Sequence, residues 1–257
     1  MKKPIRTKMD QIIGKQIIRL QIVDSTNNYA NIQLRENEVN EGTVFLAYEQ
    51  SIGRGQKNNF WESEPGKNLT FSLVVFPDFL DIRHQFMLSK VVTLGIYKAL
   101  SKYVDNLRVK WPNDIYAGNQ KLGGILIENS IMYSSIKSSV IGIGINVNQT
   151  VFLSNAPNPV SLMTLTNKQF DCELVLSELL SAIDFYYSLL RQGEAELIDQ
   201  AFVSVLYRIH EKHWFLAGQE RFEGEITGVN EIGQLLIRKQ DGEIQEFHFK
   251  EVEFLQG

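Results

Sequence analysis

The stretch Glu49-Gln50-Ser51-Ile52-Gly53-Arg54-Gly55-Gln56-Lys57-Asn58-Asn59-Phe60-Trp61 divides two runs of a different character. Before it, Thr43-Val44-Phe45-Leu46-Ala47-Tyr48 is β-branched, apolar and aromatic. After Ser63-Glu64-Pro65-Gly66 comes Asn68-Leu69-Thr70-Phe71-Ser72-Leu73-Val74-Val75-Phe76. Both flanks predict strands bounded by turn residues. The loop between them places glycines on either side of Arg54 and ends on Trp61. Glycine lets backbone N–H groups approach a ligand closely and reach positive φ. Arginine supplies a planar fork of donors matched to carboxylate or phosphate, and tryptophan supplies a flat apolar face. Two readings stand: a loop that folds over an anionic, partly aromatic small molecule, or a solvated surface hairpin.

Working outward toward the N-terminus, Ile17-Ile18-Arg19-Leu20-Gln21-Ile22-Val23 predicts a first strand, and residues 1–16 before it carry little pattern. The strand runs into Asp24-Ser25-Thr26-Asn27-Asn28. These residues either cap a short helix through Leu34 or hydrogen-bond a neutral polar group such as a urea or amide.

On the other side, residues 85–104 space Leu88, Val91, Val92, Ile96, Ala99, Leu100 and Tyr103 along one buried helical face. Leu107-Arg108-Val109-Lys110-Trp111 predicts a strand that stops at Pro112. Ile115-Tyr116, the turn Ala117-Gly118-Asn119-Gln120 and the return Lys121-Leu122-Gly123-Gly124-Ile125-Leu126-Ile127-Glu128 complete a hairpin with Lys110 and Lys121 on its two arms. A last core strand, Ser139 to Asn148, alternates glycine with isoleucine. Its glycine face has room for a close neighbour, a packed helix as readily as a ligand. Residues 173–191 and 194–208 predict two amphipathic helices. From His213 onward, short strands around Phe222–Ile226, Gln234–Arg238 and Ile244–Phe249 predict a small barrel. The expected division is therefore a main domain over 1–210 and an appendage over 211–257.

Composition narrows the classes. The chain has 257 residues, 44% hydrophobic and 22% charged, as in ordinary globular proteins. Its net charge of −4 lacks the global basic footprint of a nucleic-acid binder. One cysteine, Cys172, permits no internal disulfide and suits a reducing cytosol, so a cytoplasmic location is expected. The basic N-terminus has no apolar signal core after it, and no apolar run reaches membrane-spanning length.

Familiar chemistries fail on spacing. Pro65-Gly66-Lys67-Asn68 lacks the upstream glycine and the following hydroxyl of a phosphate loop. Gly142-Ile143-Gly144 lacks the third glycine of a dinucleotide site. A nucleophile-elbow serine and a paired-histidine zinc motif are also missing. What remains is a set of cations and amides: Arg54, Lys110, Lys121, Asn113, Asp114 and Asn146, with hydroxyls at Ser25 and Thr26. Such a set suits the joining of two anions. A carboxylate approaching a phosphate to about 4 Å meets a repulsion of roughly 4 kcal/mol at an effective dielectric of about 20. Fixed cations offset that repulsion and stabilise charge growing on the phosphoryl oxygens. The pattern points to adenylation with no protein nucleophile.

Five stretches in order carry a resemblance: Asp24-Ser25-Thr26-Asn27, Gln50 to Trp61, Lys110-Trp111-Pro112-Asn113-Asp114, Lys121 to Glu128, and Gly142-Ile143-Gly144-Ile145-Asn146. Together they resemble the biotin protein ligases. The resemblance implies an α+β fold: a mixed sheet flanked by helices, related to class II aminoacyl-tRNA synthetases, with a small SH3-like C-terminal barrel. It also implies a reaction in which biotin and Mg-ATP give biotinyl-5'-AMP, and the biotinyl group passes to a lysine of a biotin carboxyl carrier protein. By the same resemblance Ser25, Thr26, Asn27, Gln50, Gly53, Arg54, Gly55, Gln56, Lys121 and Gly124 bind biotin, with Arg54 holding carboxylate and phosphate. Lys121 and Arg54 are the catalytic residues. Trp61, Lys110, Asn113, Asp114 and Asn146 bind the nucleotide, and Asp114 helps place Mg2+ in the absence of a dedicated metal site. Members that double as repressors carry an N-terminal DNA-binding domain, whereas about 16 residues precede the first strand here. The expectation is a ligase that engages neither nucleic acid nor membrane, with a homodimer through an exposed sheet edge left open.

Overall fold

Alternation along the strands sets the architecture. The computed structural model describes residues 11–36, 38–56, 59–154 and 158–255. Seven strands, β1 (Ile17–Val23), β2 (Val44–Gln50), β3 (Leu69–Val75), β4 (Leu107–Lys110), β5 (Asp114–Ala117), β6 (Gln120–Met132) and β7 (Ser135–Ile145), form one sheet. Its order is β1-β2-β3-β7-β6-β5-β4, with β1 parallel to β2 and the other neighbours antiparallel. The sheet is mixed, as the resemblance implies.

One face of this sheet is apolar. Leu69, Phe71, Leu73 and Val75 of β3 and Ile141, Ile143 and Ile145 of β7 point into the main core. Helices α2 (Phe86–Leu100), α4 (Cys172–Arg191) and α5 (Ala195–Ser204) cover it through residues such as Leu88, Ile183 and Phe202. Each such side chain, fully buried, contributes roughly 1.5–3 kcal/mol. A Cβ at Gly95 would lie 2.6 Å from Ile183, so glycine is what allows α2 and α4 to pack this closely. The alternate residues face the other way. There, α1 (Thr26–Glu36) packs Ala30 on Phe45, Val74 and Val140. Beyond α1 that face carries Thr70, Ser72, Gly124, Gly142 and Gly144.

The remaining strands, β8 (Lys212–Ala217), β9 (Glu220–Val229), β10 (Leu235–Lys239), β11 (Ile244–Phe247) and β12 (Glu253–Phe254), form an antiparallel sheet of order β11-β10-β9-β8-β12. Among the described residues β11 and β12 end the order, and this antiparallel sheet is consistent with the small SH3-like domain expected. Phe215, Phe222, Ile226, Leu235, Ile237 and Phe247 belong to the same core as the main sheet. The indole N–H of Trp111 donates to the Gly233 carbonyl at 2.9 Å, tying the two sheets beside the β4–β5 turn.

Several expectations need correction. The strand does stop before Pro112, but the expected single hairpin is a three-stranded meander: a turn containing a cis Trp111–Pro112 bond pairs Lys110 with Asp114 and starts β5. Lys110 and Lys121 therefore lie on β4 and β6, with β5 between them. The helix expected over 194–208 stops at Ser204, because Val205 and Tyr207 exchange backbone hydrogen bonds with Val109. A short α3 (Leu162–Thr166) went unforeseen, although Ser161 and Thr164 form a reciprocal capping box. Of the supposedly patternless N-terminus, residues 1–10 lie outside the described residues. Ile13 is fully buried, and the N–H groups of Ile12 and Ile13 both donate to Asp184 at 2.8 Å.

Among the described residues, no helix is long and apolar enough to cross a membrane.

Candidate active site

The polar face of the main sheet floors a cavity of about 650 Å³, bounded by α1, the glycine loop, the β4–β5 turn and residues 249–254 of the second sheet. Its floor exists because β6 and β7 present Gly124, Gly142 and Gly144 where side chains would otherwise stand. A Cβ on Gly142 would lie 2.4 Å from Asn27 Oδ1, and one on Gly144 would lie 2.3 Å from the Trp61 ring. The close neighbours of the glycine face are thus α1, through Asn27, and Trp61.

Around Asn27 the lining side chains are uncharged and hydrogen-bonded, with the Glu128 carboxylate behind them. Ser25, Thr26 and Asn27 are buried. Gln50 Oε1 accepts from the Thr26 N–H at 2.8 Å and from its hydroxyl at 3.1 Å. Ser72 Oγ lies 2.8 Å from Thr26 Oγ1 and donates to Asn27 Oδ1 at 2.6 Å. The Asn27 amide donates to the Leu126 carbonyl and to Glu128 Oε2 at 2.9 Å. Ser25, Thr26 and Asn27, at the start of α1, line the cavity.

The glycine loop is an ordered turn over its described part, Lys57 and Asn58 lying outside it. Trp61 N–H donates to the Gly53 carbonyl at 2.8 Å and Gly55 N–H to the Asn59 carbonyl at 2.7 Å. A Cβ on Gly53 would come within 2.2 Å of the Trp61 carbonyl, which accounts for that glycine on backbone packing alone. Arg54 is held by protein: it donates to Asn28 Oδ1 at 2.6 Å and forms an ion pair with Glu128 at 2.8 Å. Asn28 in turn donates to Asp24, and that hydrogen bond holds the Asp24 carboxyl below its usual range.

At the other end stand two lysines. Lys121 pairs with Asp114 at 2.8 Å and sits 5.8 Å from the Trp61 ring. Lys110 lies against Tyr116 and Phe254 at 4.7 and 5.1 Å, with its ammonium 3.3 Å from the Tyr116 hydroxyl. Burial pushes the Lys110 pKa down, Arg208 and Lys121 push the same way, and Asp114 opposes them. Burial and then Asp114 raise that of Tyr116. Asn113 lines the cavity, and its side-chain amide donates to the Ile125 carbonyl.

Of the residues singled out in the sequence, all but Gly53 and Asn146 line the cavity. Asn146 is buried behind it, with its amide on the Val160 carbonyl at 3.0 Å and Oδ1 without a partner among the described residues. That carbonyl belongs to a segment whose Asn158 and Val160 exchange backbone hydrogen bonds with Lys121, so Asn146 supports the backbone that carries the lysine. Sequence reasoning missed Glu128, Ser72, Thr70, Phe249 and Phe254. Period-two alternation on β3 was a signal for Thr70 and Ser72; for the second sheet's aromatics the sequence carried none. Among the described residues, no group of three or more His, Cys, Asp or Glu could hold a metal ion.

A neutral, donor- and acceptor-lined floor that passes into a lysine-bearing end suits a class of protein that holds an uncharged polar group at one end and an anion at the other. Residues 19–146 match the biotin/lipoate A/B protein ligase family, and the chain belongs to that family. The bifunctional ligase/repressor BirA of Bacillus spizizenii is 28% identical over 95% of this chain and 75% of that protein. The biotin–[acetyl-CoA-carboxylase] ligase of Paracoccus denitrificans is 29% identical over 77% of this chain and 84% of that protein. Of four other curated relatives the chain spans less than half the length. Among solved structures, biotin protein ligase from Aquifex aeolicus in complex with biotin and ATP superposes with a TM-score of 0.79 at 28% identity, covering 95% of this chain and 100% of that one.

Proposed function

We propose that this chain is a biotin protein ligase that makes biotinyl-5'-AMP from biotin and ATP and then biotinylates a lysine of a biotin carboxyl carrier protein. The observation that carries the reading is the polarity of the cavity. Its floor is uncharged and hydrogen-bonding at Asn27, Thr26 and Gln50, as a urea requires, and its far end holds Lys121 and Lys110.

In the first step a biotin carboxylate oxygen attacks the α-phosphorus and pyrophosphate leaves. Lys121 would sit at the junction of the two anions, offset their repulsion and stabilise the charge that develops on the phosphoryl oxygens. Arg54 would join it by leaving Glu128 for the ligand's carboxylate or phosphate. Trp61, lying over Gly144, offers its outer face to the adenine ring, and Asn113 Oδ1 and Lys110 would contact the nucleotide. Gly55, Gln56 and Gly124 would shape the passage between ring pocket and phosphate. Mg2+ would arrive on the triphosphate, which supplies oxygen ligands, with Asp114 as the wall carboxylate beside it.

In the second step a neutral lysine amine of the carrier attacks the acyl carbon and AMP leaves. Lys121 and Lys110 lower the pKa of an incoming ammonium by like-charge repulsion. Asp114 would take its proton. The carrier docks transiently, the reaction takes place in the cytoplasm, and the free edge of β1 would serve a homodimer.

The test is to incubate the protein with Mg-ATP, biotin and a carrier domain and to weigh the carrier. A gain of one biotinyl group at one lysine is expected, along with biotin-dependent exchange of labelled pyrophosphate into ATP. Exchange with lipoate but not with biotin would overturn the reading.

A further inference from the structure

Glu128 on β6 was not among the residues singled out by sequence, yet it ties two other segments of the site to its own strand. Its Oε1 takes Arg54 from the glycine loop at 2.8 Å. Its Oε2 takes the side-chain amides of Asn27 at 2.9 Å and Asn31 at 3.1 Å, both from α1. A carboxylate only accepts, so the Asn27 amide nitrogen must face it. The Leu126 carbonyl, a second acceptor at the longer distance of 3.3 Å from the same nitrogen, adds a weaker pull the same way. Asn27 Oδ1 is thereby turned onto the floor beside Gly142, where Ser72 occupies one of its two lone pairs. Gln50 Oε1 beside it already accepts twice from Thr26. The orientation of one buried amide therefore decides whether this part of the floor accepts or donates.

We infer that Glu128 is a positioning residue that sets the cavity floor to accept, so that the site selects acids bearing a ring N–H. The inference rests on the biotin reading for its ligand, since the cyclic urea of biotin carries such N–H groups and the ring of lipoate carries none.

The test is an inversion followed by a rescue. In Glu128→Gln the charged donor Arg54 draws the carboxamide oxygen, leaving the –NH2 to face Asn27. Asn27 then flips to accept from it and turns Nδ2 onto the floor. Biotin affinity, measured by calorimetry, falls at least tenfold, the scale expected when a buried donor meets a donor. Adding Asn27→Asp to Glu128→Gln restores an acceptor on both sides and recovers most of the affinity. A second arm needs no ligand. In Glu128→Gln, the nuclear Overhauser contacts from the Asn27 side-chain amide protons to the Gly142 α-protons, expected in wild type with Nδ2 3.3 Å from the Gly142 Cβ position, strengthen as Nδ2 takes the nearer place of Oδ1. Wild-type affinity in Glu128→Gln, or a double variant no tighter than Glu128→Gln, overturns the inference. Unchanged Overhauser contacts overturn it whatever the chain binds. A flipped amide in a protein whose wild type ignores biotin sustains the positioning role and overturns the biotin reading instead.

Discussion

The two ends of the cavity are built on opposite plans. At the floor, Ser25, Thr26 and Asn27 are 2%, 4% and 2% exposed and carry no charge. At the rim, the side chains of Arg54 and Glu128 are 39% and 29% exposed, and those of Lys121 and Asp114 are 22% exposed each. Buried uncharged groups with their partners in place cannot rearrange cheaply, since each unmet hydrogen bond costs about 1–3 kcal/mol. Half-exposed ion pairs contribute about 0–1 kcal/mol and can exchange partners. The difference teaches a division of labour: recognition sits where the protein is rigid, and reactivity where cations can move from a protein carboxylate to a ligand anion.

The largest effect expected at the reactive end is that of Lys121→Ala. Adenylate formation should fall about 10²–10³-fold, as when a transition-state donor is removed, while the melting temperature changes little. A variant with the normal rate of pyrophosphate exchange removes Lys121 from the chemistry.

Two glycines on the same strand sharpen the contrast. Gly142→Ala pushes a methyl group into Asn27, which the buried network cannot release, so a loss of about 1–3 kcal/mol in urea denaturation is expected, with loss of biotin binding. Gly144→Ala meets the Trp61 ring instead. There the loop can give, so stability should drop by less than about 1 kcal/mol, while Trp61 fluorescence shifts and KM for ATP rises. Equal destabilisation by the two would break the distinction between a rigid floor and a yielding rim.

A smaller effect belongs to Glu62, next to Trp61. Its carboxylate accepts from the N–H groups of Leu153 and Ser154 at 2.8 and 2.7 Å and from the Gln149 amide. Burial raises its pKa, but these hydrogen bonds outweigh burial and the net direction is down. A lowered folded-state pKa means stability present above the unfolded value, near 4.5, and lost as pH falls through the folded one. Glu62→Gln should therefore be less stable than wild type at neutral pH by no more than about 1 kcal/mol, after allowance for solvent screening. The gap should close below the unfolded-state pKa. A gap that widens on acidification contradicts the assignment.

Much of this organisation was legible before any coordinates. The alternation in Leu69 to Val75 and in Ser139 to Ile145 marks strands with one apolar face, and the glycines of β7 announce a close neighbour. The five ordered motifs name nearly every cavity residue because short polar loops at strand ends carry their own chemistry. Glu128 was quoted as the end of a motif but not weighed, because its partners come from Asn27, Asn31 and Arg54, far away in the chain. The β4–β5 turn was misread because proline at Pro112 signals the end of a strand and says nothing of the direction the chain takes next. Asn146 was placed with the nucleotide on motif alone, and in the structure it is buried and is not among the residues lining the cavity. Phe249 and Phe254 close the cavity from a second sheet whose docking no local pattern encodes.

The central claim is that floor and rim hold the two halves of one reactive molecule. A crystal structure of the protein with a non-hydrolysable biotinyl-adenylate analogue tests it most directly. The account predicts the ureido ring on Asn27 and Thr26, the acyl–phosphate linkage within hydrogen-bond reach of Lys121, and Arg54 detached from Glu128. An analogue bound with its ring away from Gly142, or with Lys121 still paired to Asp114 and far from the phosphate, would contradict it.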